Sequence, residues 1–274
     1  MIEPRFTGVD REAYLHDGYM VRSLFSPADL EAMKSLFGAA SSGCGTGFYT
    51  SLWSDNVDYR RTIHEGAREI LRRKSFPFLE GYRMCLANFA VKVPGSEEGK
   101  VPLHQDWSMT DESRFAPVTI WCPLSDVDEV NGCLTIVPGS HRICRRIRAN
   151  FPLDVGYSPI DDIAAEVEQN HVRRIPMHAG EGFVYNPGVF HGSQINRSDS
   201  PRVALVAAFI PEEAPLLHYY QTSKRRIEVY EVSEDFYWRD VVLGEPPTGQ
   251  RLVEVLDREP ATLTVEQIAA LAEC

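Results

Sequence analysis

The sequence predicts a mostly β protein, a sandwich or small barrel with flanking helices. From Tyr82 to about Ile210 the chain consists of short apolar and β-branched runs separated by Pro, Gly, Asn and Asp. No helical segments alternate with these runs, which disfavours a parallel α/β sheet. The first 80 residues have helical periodicity instead, so we expect helices that buttress one β core.

Length and charge bound the organisation and the partners. A chain of 274 residues with 43% hydrophobic residues can form one sizeable domain. Within it we expect a helical buttress (1–80), a core (82–210) with an insertion at about 145–171, and a C-terminal extension (211–274). The 28 Lys and Arg against 39 Asp and Glu give a net charge of −11, which disfavours a nucleic acid as partner.

The N-terminal residues and the cysteines both indicate a cytoplasmic protein. The opening MIEPRFTGVDREAY is polar and acidic, unlike a signal peptide, and no 18 consecutive apolar residues occur that could span a membrane. The six cysteines lack the spacing of a zinc knuckle or redox motif, so we expect reduced thiols.

Two helices are predicted before the core. Ser26-Pro27-Ala28-Asp29 offers an N-cap hydroxyl, a proline at the first helical position and an acidic first turn, and Gly38 ends this helix. A glycine-rich loop from Ser41 to Gly47 follows, and a second helix is predicted from Ile63 to Lys74.

The core is predicted to contain several short strands, and Asn131-Gly132 is typical of a type I′ hairpin turn between two of them. The insertion is predicted to carry a helix from Ile160 to Glu168, and the polar C-terminal extension to end in a short helix capped by Thr264 and Gln267. The predicted strands are Arg83 to Val93, Pro117 to Leu124, Cys133 to Val137, Val172 to Met177, Gly182 to Tyr185, Phe190 to Ile195 and Arg202 to Ile210.

One segment combines metal-ligand residues at strand spacing. In Pro102-Leu103-His104-Gln105-Asp106-Trp107, His104 and Asp106 lie two apart, so in a strand they share a face. His191, in a later strand, would complete a set of two histidines and one carboxylate, which holds Fe(II) on one side and leaves three positions open. Ser193 shares the face of His191. Arg202, 11 residues after His191 and heading an apolar run, would need an anion such as a carboxylate inside a barrel.

At this point the sequence resembles the phytanoyl-CoA dioxygenase family of Fe(II)- and 2-oxoglutarate-dependent oxygenases. The resemblance rests on four elements: the 102–107 segment, the Asn131-Gly132-Cys133-Leu134 turn with Val137-Pro138-Gly139-Ser140-His141 after it, the spacing of His191 and Arg202, and the segment Tyr14 to Phe37. It implies a double-stranded β-helix, or cupin-like jelly roll, as the core.

The resemblance also implies roles for individual residues. His104, Asp106 and His191 would ligate Fe(II), and Arg202, with Ser193 as a second donor, would hold the distal carboxylate of 2-oxoglutarate. Trp121 or Thr119, and Asn88, would line the co-substrate pocket. The reaction would use O2, release succinate and CO2, and oxidise a small organic molecule. Because Asp106 is retained where halogenating relatives carry a small residue, hydroxylation or a related outcome is favoured over halogenation.

Substrate recognition has weaker signals. Residues from segments that could cover the barrel mouth are Tyr49, Trp53, Arg60, Arg61, Trp107 and Met109, and the polar loops 95–100 and 110–115 are candidate lids. His141 belongs to the Pro-Gly-Ser-His turn, and its role stays open between loop structure and catalysis. Nothing in the sequence decides between a monomer and a homodimer.

Two alternatives keep the same residues. The first is a non-catalytic cupin-like metal-binding protein, disfavoured because it would not need Arg202 beside three ligands. The second is a zinc hydrolase using the two histidines and the aspartate, since zinc binds such ligands at least as well as iron.

Overall fold

The computed structural model describes residues 4–40, 45–152 and 158–272, and it confirms a mostly β architecture with flanking helices. Its strands form three antiparallel sheets: a six-stranded sheet in the order β1-β8-β5-β10-β3-β2, a four-stranded sheet in the order β4-β9-β6-β7 and a three-stranded sheet in the order β11-β12-β13. The strands are β1 (Tyr19–Ser23), β2 (Phe48–Thr50), β3 (Tyr82–Lys92), β4 (Val101–His104), β5 (Val118–Pro123), β6 (Leu134–Ile136), β7 (Arg173–Ile175), β8 (Glu181–Tyr185), β9 (His191–Ser193), β10 (Arg202–Pro211), β11 (Leu217–Ser223), β12 (Arg226–Glu231) and β13 (Arg251–Asp257).

The six-stranded and four-stranded sheets face each other and form the jelly roll. Trp121 and Phe183 from the larger sheet share one apolar core with Leu134 and Ile136 from the smaller one. All seven predicted strands are present, and four of them, β5, β6, β7 and β9, are two or three residues shorter than expected. The interior between these two sheets is where the functional side chains converge.

The helices that contain Met33 and Ile63 cover the outer face of the six-stranded sheet, as the sequence predicted. Met33 and Ile63 are fully buried against Phe89 and Leu205 of the sheet. The helices are α1 (Gly8–Asp17), α2 (Pro27–Ala40), α3 (Val57–Arg72), α4 (Ser140–Ile143), α5 (Ala164–Asn170), α6 (Phe236–Arg239) and α7 (Val265–Ala269).

The caps explain where the two long helices begin. The Ser26 hydroxyl accepts from the Asp29 N–H at 3.3 Å, and the Asp29 carboxylate accepts from the Ser26 N–H at 2.8 Å, as the predicted cap requires. The second helix starts six residues before the predicted Ile63, because the Asn56 side chain caps it by accepting from the N–H of Tyr59 at 3.0 Å. The predicted loop 41–47 lies partly outside the described residues.

The hairpin prediction at Asn131-Gly132 is wrong. The strands on either side, β5 and β6, belong to different sheets, so the turn carries the chain from one sheet to the other. Gly132 has φ 78°, but Asn131 does not share the left-handed conformation that a type I′ turn requires of both residues. The Asp128 carboxylate instead organises the turn by accepting from the N–H groups of Val130 and Asn131, at 2.8 and 3.1 Å.

The C-terminal extension contains more structure than the sequence analysis predicted. Its capping box, Thr264 with Gln267, is confirmed, but β11, β12 and β13 form a sheet that was missed. Alternating apolar residues in 226–231 and 251–257 were the available signal. In the insertion, α5 begins four residues after the predicted Ile160, and residues 153–157 lie outside the described part. No helix of the described chain is long and apolar enough to cross a membrane.

Candidate metal centre

Two paired strands and the loop after one of them bring the predicted ligands together. β4 ends at His104, β9 begins at His191, and the two residues are partners in the antiparallel register with ring centroids 4.3 Å apart. Asp106 Oδ1 lies 3.7 Å from His104 Nε2 and 3.6 Å from His191 Nε2. One ligand atom from each of the three residues thus lies within 4.8 Å of the others, a spacing that suits a single ion.

Asp106 reaches this point by a different route from the one predicted. Strand alternation was expected to place it beside His104, but β4 stops at His104 and Asp106 lies in the following loop. Its N–H donates to the Pro187 carbonyl at 3.0 Å, which ties the loop to the turn before β9. The meeting of the three ligands therefore depends on contacts between chain segments as well as on the two-residue spacing of His104 and Asp106.

Both imidazoles are oriented for metal binding by backbone carbonyls. Nδ1 of His104 lies 2.9 Å from the Pro102 carbonyl, and Nδ1 of His191 lies 3.0 Å from the Val189 carbonyl. A proton on each Nδ1 satisfies these carbonyls and leaves Nε2 as a lone-pair donor, the arrangement typical of metal-ligating histidines. Burial, with the neighbouring His104, lowers the pKa of His191 to about 4, so this imidazole is neutral at pH 7.

Asp106 has further partners that sequence reasoning did not find. The Tyr185 hydroxyl donates to its Oδ2 at 2.6 Å, and Arg148 Nε donates to its backbone carbonyl at 2.7 Å. Arg148 is held in turn by both carboxylate oxygens of Glu112, at 2.7 and 2.5 Å. Neither Tyr185 nor Arg148 belongs to a motif, so only their position in the fold reveals them. The same ion pair ties loop 110–115 to Arg148, and the role of this loop as a lid stays a prediction.

Arg202 is a buried cation with unused donors. It is 2% exposed, and its Nε and Nη1 have no hydrogen-bond partner among the described residues. Its guanidinium lies over the Trp121 ring at 5.2 Å, and burial lowers its pKa to about 10. An unpaired buried guanidinium is costly, so this geometry fits a site that an anion completes.

A second buried cation was also missed. Lys92 is the register partner of Arg202 on β3, is fully buried, and donates to the carbonyls of Gly99 and Ser193. Burial, with the charge of Arg202 nearby, lowers the pKa of Lys92 to about 7. Arg202 and Lys92 thus place two buried basic side chains side by side in a chain of net charge −11.

The remaining pocket residues lie on strands around the metal site. Ser193 follows His191 on β9 and is 3% exposed. Thr119 on β5 is the register partner of Tyr185 and is 3% exposed. Asn88 on β3 accepts from the Thr50 hydroxyl at 2.7 Å.

The predicted arginine pair does not form one site. Arg60 is buried and donates to the carbonyls of Leu52, Arg239 and Val241, so it anchors the segment after α6 and is not free to bind a substrate. Arg61 points to solvent and pairs with Asp58 at 2.7 Å. Adjacent residues on a helix point in different directions, so the prediction for Arg60 is corrected, whereas that for Arg61 stays a prediction.

The aromatic candidates divide between core and surface. Trp107 and Met109 pack, partly buried, on an apolar cluster that includes Phe236 and Tyr237 of the C-terminal extension. Tyr49 packs on the cluster between helices and sheet, whereas Trp53 is half exposed and contacts Phe48 edge-on.

His141 is partly buried next to Gly18, the residue that ends α1, where a Cβ would come within 2.6 Å of its Nδ1. His141 therefore helps to pack the turn after β6 against the end of α1.

Fold and site together define the class of the protein. A jelly roll that presents two imidazoles and one carboxylate from one side has the donor set of non-haem Fe(II) sites, and the open guanidinium beside it suits a carboxylate co-substrate. The residues therefore fit both groups. The family model of the phytanoyl-CoA dioxygenase (PhyH) family matches residues 14–204, and the chain belongs to this family of Fe(II)- and 2-oxoglutarate-dependent oxygenases.

Individual relatives are distant. Peroxisomal phytanoyl-CoA dioxygenase of Bos taurus is 26% identical over 159 residues, which cover 55% of this chain and 46% of the relative. Phytanoyl-CoA dioxygenase of Arabidopsis thaliana is 32% identical over 130 residues, covering 45% and 44%. The chain thus spans about half the length of the curated relatives it matches.

Solved structures share the fold. The non-heme alpha-ketoglutarate-dependent carbocyclase SnoK from nogalamycin biosynthesis is 17% identical, with 91% of this chain and 97% of that one covered and a TM-score of 0.58. HygX from Streptomyces hygroscopicus, with nickel, 2-oxoglutarate and hygromycin B bound, is 15% identical, with coverage of 76% and 88% and a TM-score of 0.55.

Proposed function

We propose that this protein is a non-haem dioxygenase that uses Fe(II), 2-oxoglutarate and O2 to oxidise a small organic molecule. The observation that carries the proposal is the combination of His104, Asp106 and His191 around one point with the unpaired guanidinium of Arg202 in the same interior. Membership of the family supports it.

Separate groups of residues would bind the metal and the co-substrate. His104, Asp106 and His191 would hold Fe(II), which when bound supplies O2 activation coupled to decarboxylation of 2-oxoglutarate. Arg202 would take the distal carboxylate of 2-oxoglutarate with Ser193 as second donor, while the walls would come from Trp121, Thr119 and Asn88. The low dielectric around the buried Arg202 would strengthen the charge pairing.

The exposure of the ligands suggests where a substrate enters. The His104 side chain is 44% exposed and that of Asp106 32%, whereas that of His191 is only 7% exposed. The metal would therefore be reached from the side of His104. Because Asp106 occupies the carboxylate position, we propose hydroxylation over halogenation.

Both rival functions leave Arg202 unexplained. A zinc hydrolase or a metal-binding cupin needs the three ligands but no buried, unpaired guanidinium next to them. Since zinc binds these ligands well, the metal content of a purified sample does not distinguish the rivals.

Succinate formation distinguishes them. The purified protein is loaded anaerobically with Fe(II) and 2-oxoglutarate and then exposed to O2, with and without a pool of small-molecule substrates. We expect slow, uncoupled succinate formation that His104→Ala abolishes and that His178→Ala, at a surface histidine paired with Asp126, leaves unchanged. Absence of succinate from the wild type under all conditions would contradict the proposal.

A further inference from the structure

We propose that Tyr185 is a positioning residue that keeps Asp106 a one-oxygen metal ligand. The inference rests on the proposed function only in requiring that a divalent metal binds at His104, Asp106 and His191. It assigns a role to a residue that touches neither 2-oxoglutarate nor substrate in the scheme above.

The two carboxylate oxygens of Asp106 face different partners. Oδ1 is the atom directed at the histidines, 3.7 Å from Nε2 of His104 and 3.6 Å from Nε2 of His191. Oδ2 accepts a 2.6 Å hydrogen bond from the Tyr185 hydroxyl. The carboxylate is therefore already divided between a metal-facing oxygen and a protein-facing oxygen.

The donor is held rigidly. Tyr185 ends β8, is 3% exposed, and its ring packs at 5.1 Å on Phe183 and edge-on at 5.0 Å to His191. A phenol carries its proton at neutral pH and an ionised carboxylate can only accept, so the Tyr185 hydroxyl is the donor of this bond.

The acceptor is anchored at its backbone as well. The Asp106 N–H donates to the Pro187 carbonyl at 3.0 Å, and the Asp106 carbonyl accepts from Arg148 at 2.7 Å. With the main chain fixed, the freedom left to Asp106 is rotation of its carboxylate. The bond to Tyr185 restrains that rotation.

The restraint matters because the metal needs open positions. Three protein ligands leave three positions of an octahedral ion free, two for a chelating 2-oxo acid and one for O2. A carboxylate that turned to bind through both oxygens would occupy one of these. A hydrogen bond to Oδ2 keeps that oxygen away from the metal, the role commonly played by partners of metal ligands.

The test is Tyr185→Phe, compared with Tyr219→Phe as a matched control. Tyr219 is as buried as Tyr185, and its hydroxyl donates one hydrogen bond to a carbonyl, that of Thr110 at 3.1 Å, so both variants lose one buried hydroxyl. Each protein is titrated anaerobically with Co(II) and then with 2-oxoglutarate while the visible absorption of Co(II) is recorded.

For Tyr185→Phe we expect Co(II) affinity to fall by about 10- to 100-fold, the Co(II) spectrum to change, and 2-oxoglutarate to bind the Co(II) form more weakly. Tyr219→Phe should match the wild type in all three. Identical Co(II) spectra and affinities in the two variants would overturn the inference.

A measurement on the wild type covers the case in which Tyr185→Phe does not fold. The infrared difference between the metal-loaded and metal-free protein, with the Asp106 bands assigned by Asp106→Asn, should show the wide carboxylate band separation of one-oxygen ligation. A narrow separation, typical of two-oxygen ligation, would overturn the inference. None of these readouts needs turnover, so a protein that makes no succinate would refute the proposed oxygenase and leave this inference standing.

Discussion

Arg202→Met tests whether the buried guanidinium exists for a ligand or for the fold. The substitution removes the charge and keeps an unbranched apolar side chain in the same interior. Because Nε and Nη1 of Arg202 have no hydrogen-bond partner within residues 4–40, 45–152 and 158–272, the substitution breaks no bond from these two atoms to that part of the chain. Metal affinity should stay close to that of the wild type.

The substitution should weaken the binding of 2-oxoglutarate but should not destabilise the ligand-free protein. Hydrogen bonds between charged groups contribute about 1.5–3 kcal/mol each, so loss of two of them weakens 2-oxoglutarate binding by about 3–6 kcal/mol, or roughly 10²- to 10⁴-fold. Burial lowers the pKa of Arg202 from 12.5 to about 10, a penalty of about 3 kcal/mol on the charged form in the folded state. The ligand-free variant should therefore be as stable as the wild type or more stable, by up to about 3 kcal/mol.

The assay measures both quantities on the same preparations. Calorimetric titration of the Ni(II)-loaded protein gives the 2-oxoglutarate affinity, and urea unfolding of the metal-free protein gives the free energy of unfolding. Arg174→Met, at an arginine whose side chain is 56% exposed, serves as control and should change neither. Unchanged 2-oxoglutarate affinity in Arg202→Met, or a loss of stability as large as the loss of affinity, would refute the reasoning.

Three further predictions concern the surroundings of the site. Glu112→Gln leaves the buried charge of Arg148 without its Glu112 counter-charge, so the free energy of unfolding in urea should fall by about 3–5 kcal/mol and Co(II) should bind more weakly. A loss of stability no larger than that of Glu65→Gln, at an exposed ion pair, would contradict this. Burial lowers the pKa of His218 to about 3, so between about pH 6.5 and 3 the unfolded state binds a proton that the folded state does not, and the free energy of unfolding falls as pH falls. His218→Leu should flatten the dependence of unfolding free energy on pH in this range. An unchanged slope would contradict the assignment. Gly192→Ala would place a Cβ 2.6 Å from the Val101 carbonyl oxygen and push β9 away from β4. Metal affinity should therefore fall although no metal ligand changes. An affinity equal to that of the wild type would show that the two strands can separate without affecting the metal site.

The metal-ligand candidates could be found in the sequence because their signal is local. His104 and Asp106 are two residues apart, His191 follows a Pro-Gly turn, and Arg202 heads an apolar run, so residue chemistry and spacing were sufficient to select them. The strands of the core and the caps of α2 and α7 were predictable for the same reason, since alternation and capping depend on near neighbours.

The errors arose where side-chain direction depends on distant contacts. Arg60 and Arg61 are adjacent in sequence, yet one contacts carbonyls about 180 residues away and the other faces water. The Asn131-Gly132 turn has the composition of a hairpin, but the strands beside it pair with other partners. Turn composition describes four residues and carries no information about which strands will meet.

By itself, then, the sequence determined the class of fold and the residues able to ligate a metal and bind a carboxylate, because both follow from residue type and short-range periodicity. Only the tertiary structure decided that Tyr185 bonds the second oxygen of Asp106, that Arg148 and Glu112 brace its backbone, and that Lys92 lies beside Arg202. These contacts join residues that are 36 to 110 positions apart along the chain, so they exist only once the strands have paired and the jelly roll has closed.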